Sequence, residues 1–239
     1  MYYHRLGQIP HKRHTQFRQP DGSLYKEELV SSEGFSGIYS NLYHIYAPTR
    51  IKAVKEPVKY GPKIITDYAL KQTHLNTSKV TTTGTDYLSA RKVLLKNNDC
   101  SISICSPSQR KMDYFYKNAE GDEVLYVHDG KGVLISPFGK LEIRQGDYVV
   151  IPRTVIYKLE FEEGPLRLLI VEANSPVETV RRYRNELGQL GEHSPYCERD
   201  IRPPHELITD SSKGEFLLKI KKQGFLHQYV YEHSPLDLI

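Results

Sequence analysis

The sequence contains no tryptophan, two methionines and three cysteines in 239 residues. Cys100, Cys105 and Cys197 form neither a C-x-x-C pair nor a repeated ligand pattern, and their odd number argues against a disulfide framework. Long hydrophobic runs are absent as well. No stretch approaches the roughly 18 apolar residues of a membrane span. Residues 1–10 are polar and aromatic, without the apolar centre of a secretion signal. Nor is there an excess of one charge: 33 Lys and Arg stand against 29 Asp and Glu, a net of +4 spread along the chain, which excludes a nucleic-acid footprint. These absences predict a cytoplasmic protein in reducing surroundings, with neither nucleic acid nor membrane as a partner.

Tyrosine is what the chain has in quantity: 18 Tyr and 7 Phe within a hydrophobic fraction of 38%. Tyrosine suits strands and half-buried sites, because its ring packs while its hydroxyl still needs a partner. Short apolar or alternating runs recur at 92–95, 101–105, 112–117, 123–127, 132–136, 141–144, 148–151, 156–161 and 166–172, with no helical pattern between them. Gly or Pro marks the turns at Glu120-Gly121, Asp129-Gly130, Pro137-Phe138-Gly139, Gln145-Gly146-Asp147 and Glu163-Gly164. Such a meander buries alternate side chains best as a closed barrel or jelly roll.

The organisation expected is an arm with wrapping segments over 1–77, a β-barrel over 78–175, and a wrapping loop and hairpin over 176–239. Residues 2–18 read as an extended basic arm carrying His4, His11 and His14, with His11 and His14 a solvated or partner-contacting pair rather than metal ligands. Residues 52–77 read as a long surface connection with little regular structure, and 177–190 as one or two helical turns. A hairpin is expected over 215–231 around Gln223-Gly224, its second strand left as an uncovered edge.

The most informative stretch is Tyr114-Phe-Tyr-Lys-Asn-Ala-Glu-Gly-Asp-Glu-Val-Leu-Tyr-Val-His-Asp-Gly130, followed by Gly146-Asp-Tyr-Val-Val-Ile-Pro152. A strand with Asp122-Glu123, a Gly-bounded turn and a Gly-Asp-x-x-x-x-Pro strand resemble the two halves of a cupin motif. The fold class expected is mainly β, a cupin-type jelly roll with added strands. Cupin metal sites take two His and a Glu from the first half and another His after the Pro. Here Glu123 and Pro152 are in register, but Tyr116 and Asn118 stand near the expected pair and Tyr157 near the expected third histidine. A 2-His-1-carboxylate site needs neutral imidazoles, so the barrel is expected to be metal-free. His128, five residues after Glu123, falls on the opposite face by alternation. His44, His74, His193, His205, His227 and His233 are scattered, without the close acidic partners of a metal triad.

The opening Tyr2-Tyr3-His4-Arg5-Leu6-Gly7-Gln8-Ile9-Pro10-His11-Lys12-Arg13-His14-Thr15, with Leu24 to Leu29, Gly34-Phe35-Ser36-Gly37, Leu42 to Pro48, Asp122 to Tyr126 and Gly146-Asp147-Tyr148, resembles the N-terminal half of homogentisate 1,2-dioxygenases of the shorter bacterial type. The resemblance covers essentially the whole chain. It implies an oligomeric enzyme that opens the ring of homogentisate with O₂ in tyrosine and phenylalanine breakdown. Its Fe(II) sits in a C-terminal cupin half, and the N-terminal half is a metal-less barrel. No iron-ligand position carries over to a residue here, so no catalytic, cofactor-binding or metal residue is expected, and Ile239 is expected to mark a truncation before the catalytic half. The arm at His11, Lys12, Arg13 and His14 and the aromatic run Tyr39 to Tyr46 are expected at interfaces. Two other readings stay open: a cupin module holding a small aromatic acid between Tyr116 and Tyr157, and a metal enzyme using Glu123 with His128.

Overall fold

Alternation decides which side chains enter the interior. Strand β7 (Asp122–Asp129) turns Glu123, Leu125 and Val127 inward while His128 faces solvent. The computed structural model describes residues 6–7, 16–63, 72–80, 82 and 84–239. His4, His11 and His14 of the arm lie outside the described residues.

The remaining strands are β1 (Lys26–Glu33), β2 (Ser36–His44), β3 (Ile51–Lys59), β4 (Arg91–Lys96), β5 (Cys100–Cys105), β6 (Phe115–Asn118), β8 (Lys131–Ser136), β9 (Gly139–Arg144), β10 (Tyr148–Ile151), β11 (Lys158–Phe161), β12 (Arg167–Ala173), β13 (Lys213–Lys222) and β14 (Phe225–His233). The barrel sets the antiparallel sheet β10-β7-β12-β5-β4 against β11-β8-β9. Leu125, Val149, Ile151, Leu168 and Ile170 of the first sheet and Leu134, Ile143 and Leu159 of the second share one buried cluster. Backbone bonds from Tyr116 N–H to the Tyr157 carbonyl (2.8 Å) and back (2.9 Å) carry the second sheet onto β6. From there β6 pairs in parallel with β13, at the edge of the sheet β3-β14-β13-β6. The fold is the mainly β, cupin-type barrel that the pattern implies.

All nine expected barrel strands are present, and so is the β13–β14 hairpin. Three expectations need correction. Residues 51–59 are not irregular but form β3, which pairs antiparallel with β14. Every residue of β3 is exposed, so no inward face left a periodic trace, and its lysines and Pro57 are what an edge strand uses against further pairing. Consequently β14 lies between β3 and β13 and is no uncovered edge. The helix expected in 177–190 shrinks to a single 3₁₀ turn at Arg181–Tyr183. Val177 N–H is drawn instead to Asp122 Oδ2 (2.8 Å), which lays the segment onto the barrel in extended form.

The hairpin β1–β2 forms a separate two-stranded sheet with Phe35 at its tip 92% exposed. Among the described residues no helix is long and apolar enough to cross a membrane.

Candidate functional site

Two carboxylates face the barrel interior side by side. Glu123 on β7 is the register partner of Glu172 on β12. Two like charges at that spacing in a desolvated interior require a cation between them. The cation is Arg91, whose pairing with the buried Cys105 turns it inward at the start of β4. Its Nη1 donates to Glu123 Oε1 at 2.5 Å and to Glu172 Oε1 at 2.9 Å. The arginine and Glu123 side chains are 3% and 1% exposed. Lys221 of β13 binds Glu172 from the other side and reaches Glu120 at 3.4 Å. Charges thus alternate from the interior to the rim: Glu123, Arg91, Glu172, Lys221, Glu120.

Tyrosines close the cluster. Tyr157 donates its hydroxyl to Glu123 Oε2 at 2.6 Å. Its oxygen lies 3.3 Å from Arg91 Nη2 and from the Tyr87 hydroxyl, so it accepts from both. The guanidinium stacks 4.3 Å from the Tyr87 ring centre and 5.3 Å from that of Tyr116. Burial raises the pKa values of Tyr87, Tyr116 and Tyr157 well above the usual phenol range, so each stays a neutral hydroxyl. Burial also opposes charge on Glu172, but Arg91 and Lys221 outweigh it and hold that carboxyl below its ordinary value. Cys105 is pushed up to about 12 by burial, which removes it as a nucleophile at neutral pH.

The expected residues are where the motif puts them, but their neighbours were not legible. Glu123, Tyr116, Tyr157 and Asn118 are all buried inside, and His128 is on the outer face. Asn118 shapes the following turn by accepting from the N–H groups of Glu120 and Gly121, and its amide reaches Glu172 at 3.4 Å. Tyr116 and Tyr157 pack edge to face, 5.4 Å between ring centres. Sequence reasoning missed Arg91, Glu172 and Lys221. Glu172 left a signal, since Leu168, Ile170 and Glu172 share a strand face; Arg91 left none, because an arginine opening a strand ordinarily lies in solvent.

This donor set does not fit iron. Glu123 already gives one oxygen to a guanidinium and the other to a phenol, and its partners are not the imidazoles a facial triad takes. Among the described residues no three His, Cys, Asp or Glu side chains converge as a metal cage.

A family model described as homogentisate 1,2-dioxygenase N-terminal matches residues 72–239. The chain belongs to this family. As a homogentisate 1,2-dioxygenase N-terminal chain it is also 37% identical, over all of its 239 residues, to a protein of Saccharolobus solfataricus named "Putative dioxygenase", of which it spans 61%. Among solved structures it is similar to a cupin protein from Bacteroides fragilis, 15% identical over 49% of this chain and 94% of that one, with a TM-score of 0.35. It is similar also to a cupin-2 domain protein from Shewanella frigidimarina, 22% identical over 35% of this chain and 78% of that one, with a TM-score of 0.29.

One histidine of this homogentisate 1,2-dioxygenase N-terminal chain meets two carboxylates that the sequence places far from it. His44 Nδ1 lies 2.9 Å from Asp237 Oδ1 and its Nε2 3.2 Å from Glu28 Oε2. His74, His193 and His205 are exposed, and His233 is buried with Nδ1 on the Ser234 carbonyl. At the open end of the β3-β14-β13 sheet, Tyr46, Arg50, Lys52, Lys213, Glu215, Glu232 and His233 line a surface cavity of about 400 Å³. Arg50 pairs there with Glu232 and Lys52 with Glu215, exposed contacts of small energetic weight.

Proposed function

We propose that this chain is the supporting half of an enzyme that opens the ring of homogentisate with O₂, its iron held by residues outside these 239. The observation that carries this reading is the Arg91 guanidinium, bonded to both carboxylates at the heart of the barrel. Where a catalytic cupin needs open coordination positions on a metal, this barrel has a closed lattice of fixed charges and neutral phenols. Such a lattice holds sheets together, and each of its two carboxylates is already bound to a cation rather than free for a metal or a substrate. The family description and the dioxygenase relative support the reaction class, and the 61% span of that relative leaves room for a catalytic half. In the intact enzyme the substrate is a small aromatic acid and the cofactor Fe(II). The assembly is a cytoplasmic homo-oligomer in which the aromatic run Tyr39 to Tyr46 lies near an interface.

Oxygen uptake tests it. With homogentisate and ferrous iron, the purified 239-residue chain is expected to consume no O₂ above the iron autoxidation background, whereas the full-length protein consumes it in step with homogentisate. Turnover by the isolated chain overturns the supporting role. Silence from the full-length protein overturns the substrate instead.

A further inference from the structure

His44 sits at the end of β2 with a carboxylate on each ring nitrogen. Asp237, 2% exposed, meets Nδ1 at 2.9 Å, and Glu28 of β1 meets Nε2 at 3.2 Å. Ionised carboxylates only accept, and a neutral imidazole carries a single N–H, so it can satisfy one of them and turns a lone pair on the other. Both contacts are favourable together only when the ring is an imidazolium. The charges facing this group are Glu28 and the register partner Lys26 from β1, Asp237 from the C-terminal segment, and Lys117 of β6, which acts on Glu28; Glu28 in turn helps keep the Tyr231 phenol of β14 neutral.

The same aspartate anchors the end of the chain. Tyr46 N–H donates to Asp237 Oδ2 at 2.7 Å, Ile45 N–H to the Asp237 carbonyl at 3.3 Å, and Ile239 N–H to the Tyr43 carbonyl at 3.1 Å. We infer that His44 is an ionic lock: as an imidazolium held between two carboxylates, it fastens residues 236–239 to the β1–β2 hairpin and releases them when it loses its proton. Burial works against the charged ring, but the hydrogen bonds to Asp237 and Glu28 outweigh it and raise the pKa from 6.5 to about 9. The lock is therefore closed below pH 6.5, weakens above it and opens as the pH rises through about 9. Resting on the reading above, in which a catalytic half follows this segment, the lock also sets the direction in which that half is presented.

The test uses the 239-residue chain and needs no activity. Nitrogen NMR of the His44 ring is expected to show protons on both nitrogens at pH 7.5. Amide exchange, corrected for its intrinsic pH dependence, is expected to show protection at Ile45, Tyr46 and Ile239 falling about tenfold or more between pH 7 and 10. Leu125 and Ile170 in the barrel should stay protected. His44→Gln should show the released pattern already at pH 7; if it fails to fold, the wild-type titration decides. A ring carrying one proton at pH 7.5, or protection at Ile239 that is equal at pH 7 and 10, overturns the lock. Either result leaves the dioxygenase reading untouched, since that stands on oxygen uptake.

Discussion

Tyr116 and Tyr157 are equally buried, yet losing their hydroxyls should have different consequences. The Tyr157 hydroxyl is the second donor to Glu123, so Tyr157→Phe leaves a buried carboxylate oxygen short of a partner and costs about 1–3 kcal/mol. The Tyr116 hydroxyl has no hydrogen-bond partner, so Tyr116→Phe removes only a desolvation penalty and is expected to be neutral or stabilising by about 1 kcal/mol. Arg91→Ala should be worse than either, about 3–5 kcal/mol, because it strands the buried Glu123 without a cation and leaves Glu172 with Lys221 alone. Urea unfolding of the three variants at pH 7 gives the order. A Tyr116→Phe loss as large as that of Tyr157→Phe would show that the interior does not discriminate between the two phenols.

At the scale of elements, glycine substitutions separate a steric constraint from a conformational one. Gly139 opens β9 at φ 121°, and an added Cβ would lie 2.0 Å from the Glu206 carbonyl oxygen. Gly146 also has a positive φ, 91°, but nothing lies within 4 Å of the added atom. Gly146→Ala therefore carries backbone strain of about 1 kcal/mol, whereas Gly139→Ala adds displacement of the 204–206 loop and should cost at least about 2–3 kcal/mol, read as a larger drop in melting temperature. Glycines of this kind made the barrel legible, since they punctuate strands whose alternate residues are buried. The Gln223-Gly224 hairpin was legible for the same reason, with φ of 53° and 75° at the two turn residues. β3 was not, because a strand exposed along its whole length has no buried face for a pattern to report. Within the site, Glu123, Tyr116 and Tyr157 were found through a motif spacing. Arg91 and the His44–Asp237 contact are properties of tertiary pairing, and 193 residues separate the latter two.

For the molecule as a whole, these groups set opposite limits on stability against pH. Asp86 and Glu172 are lowered from 3.8 and 4.5, burial being outweighed by hydrogen bonds from Ser89 and Tyr114 in the first case and by Arg91 and Lys221 in the second. A depressed carboxyl contributes its full stability above its unfolded value and loses it as the pH falls through the folded one, so the acid limb begins below about pH 4.5. His44 behaves with the opposite sign: its raised pKa contributes fully below 6.5 and is lost as the pH rises through about 9. Urea midpoints should therefore be highest between about pH 4.5 and 6.5 and decline gently toward pH 9. In His44→Gln the acid limb should persist through Asp86 and Glu172, losing only the share of Glu28, which His44 itself holds down, while the slope between pH 6.5 and 9 flattens. A variant that keeps the wild-type slope across that interval would mean that the alkaline decline originates in another group and that the end of the chain is held by apolar burial of Leu236 and Leu238 rather than by charge.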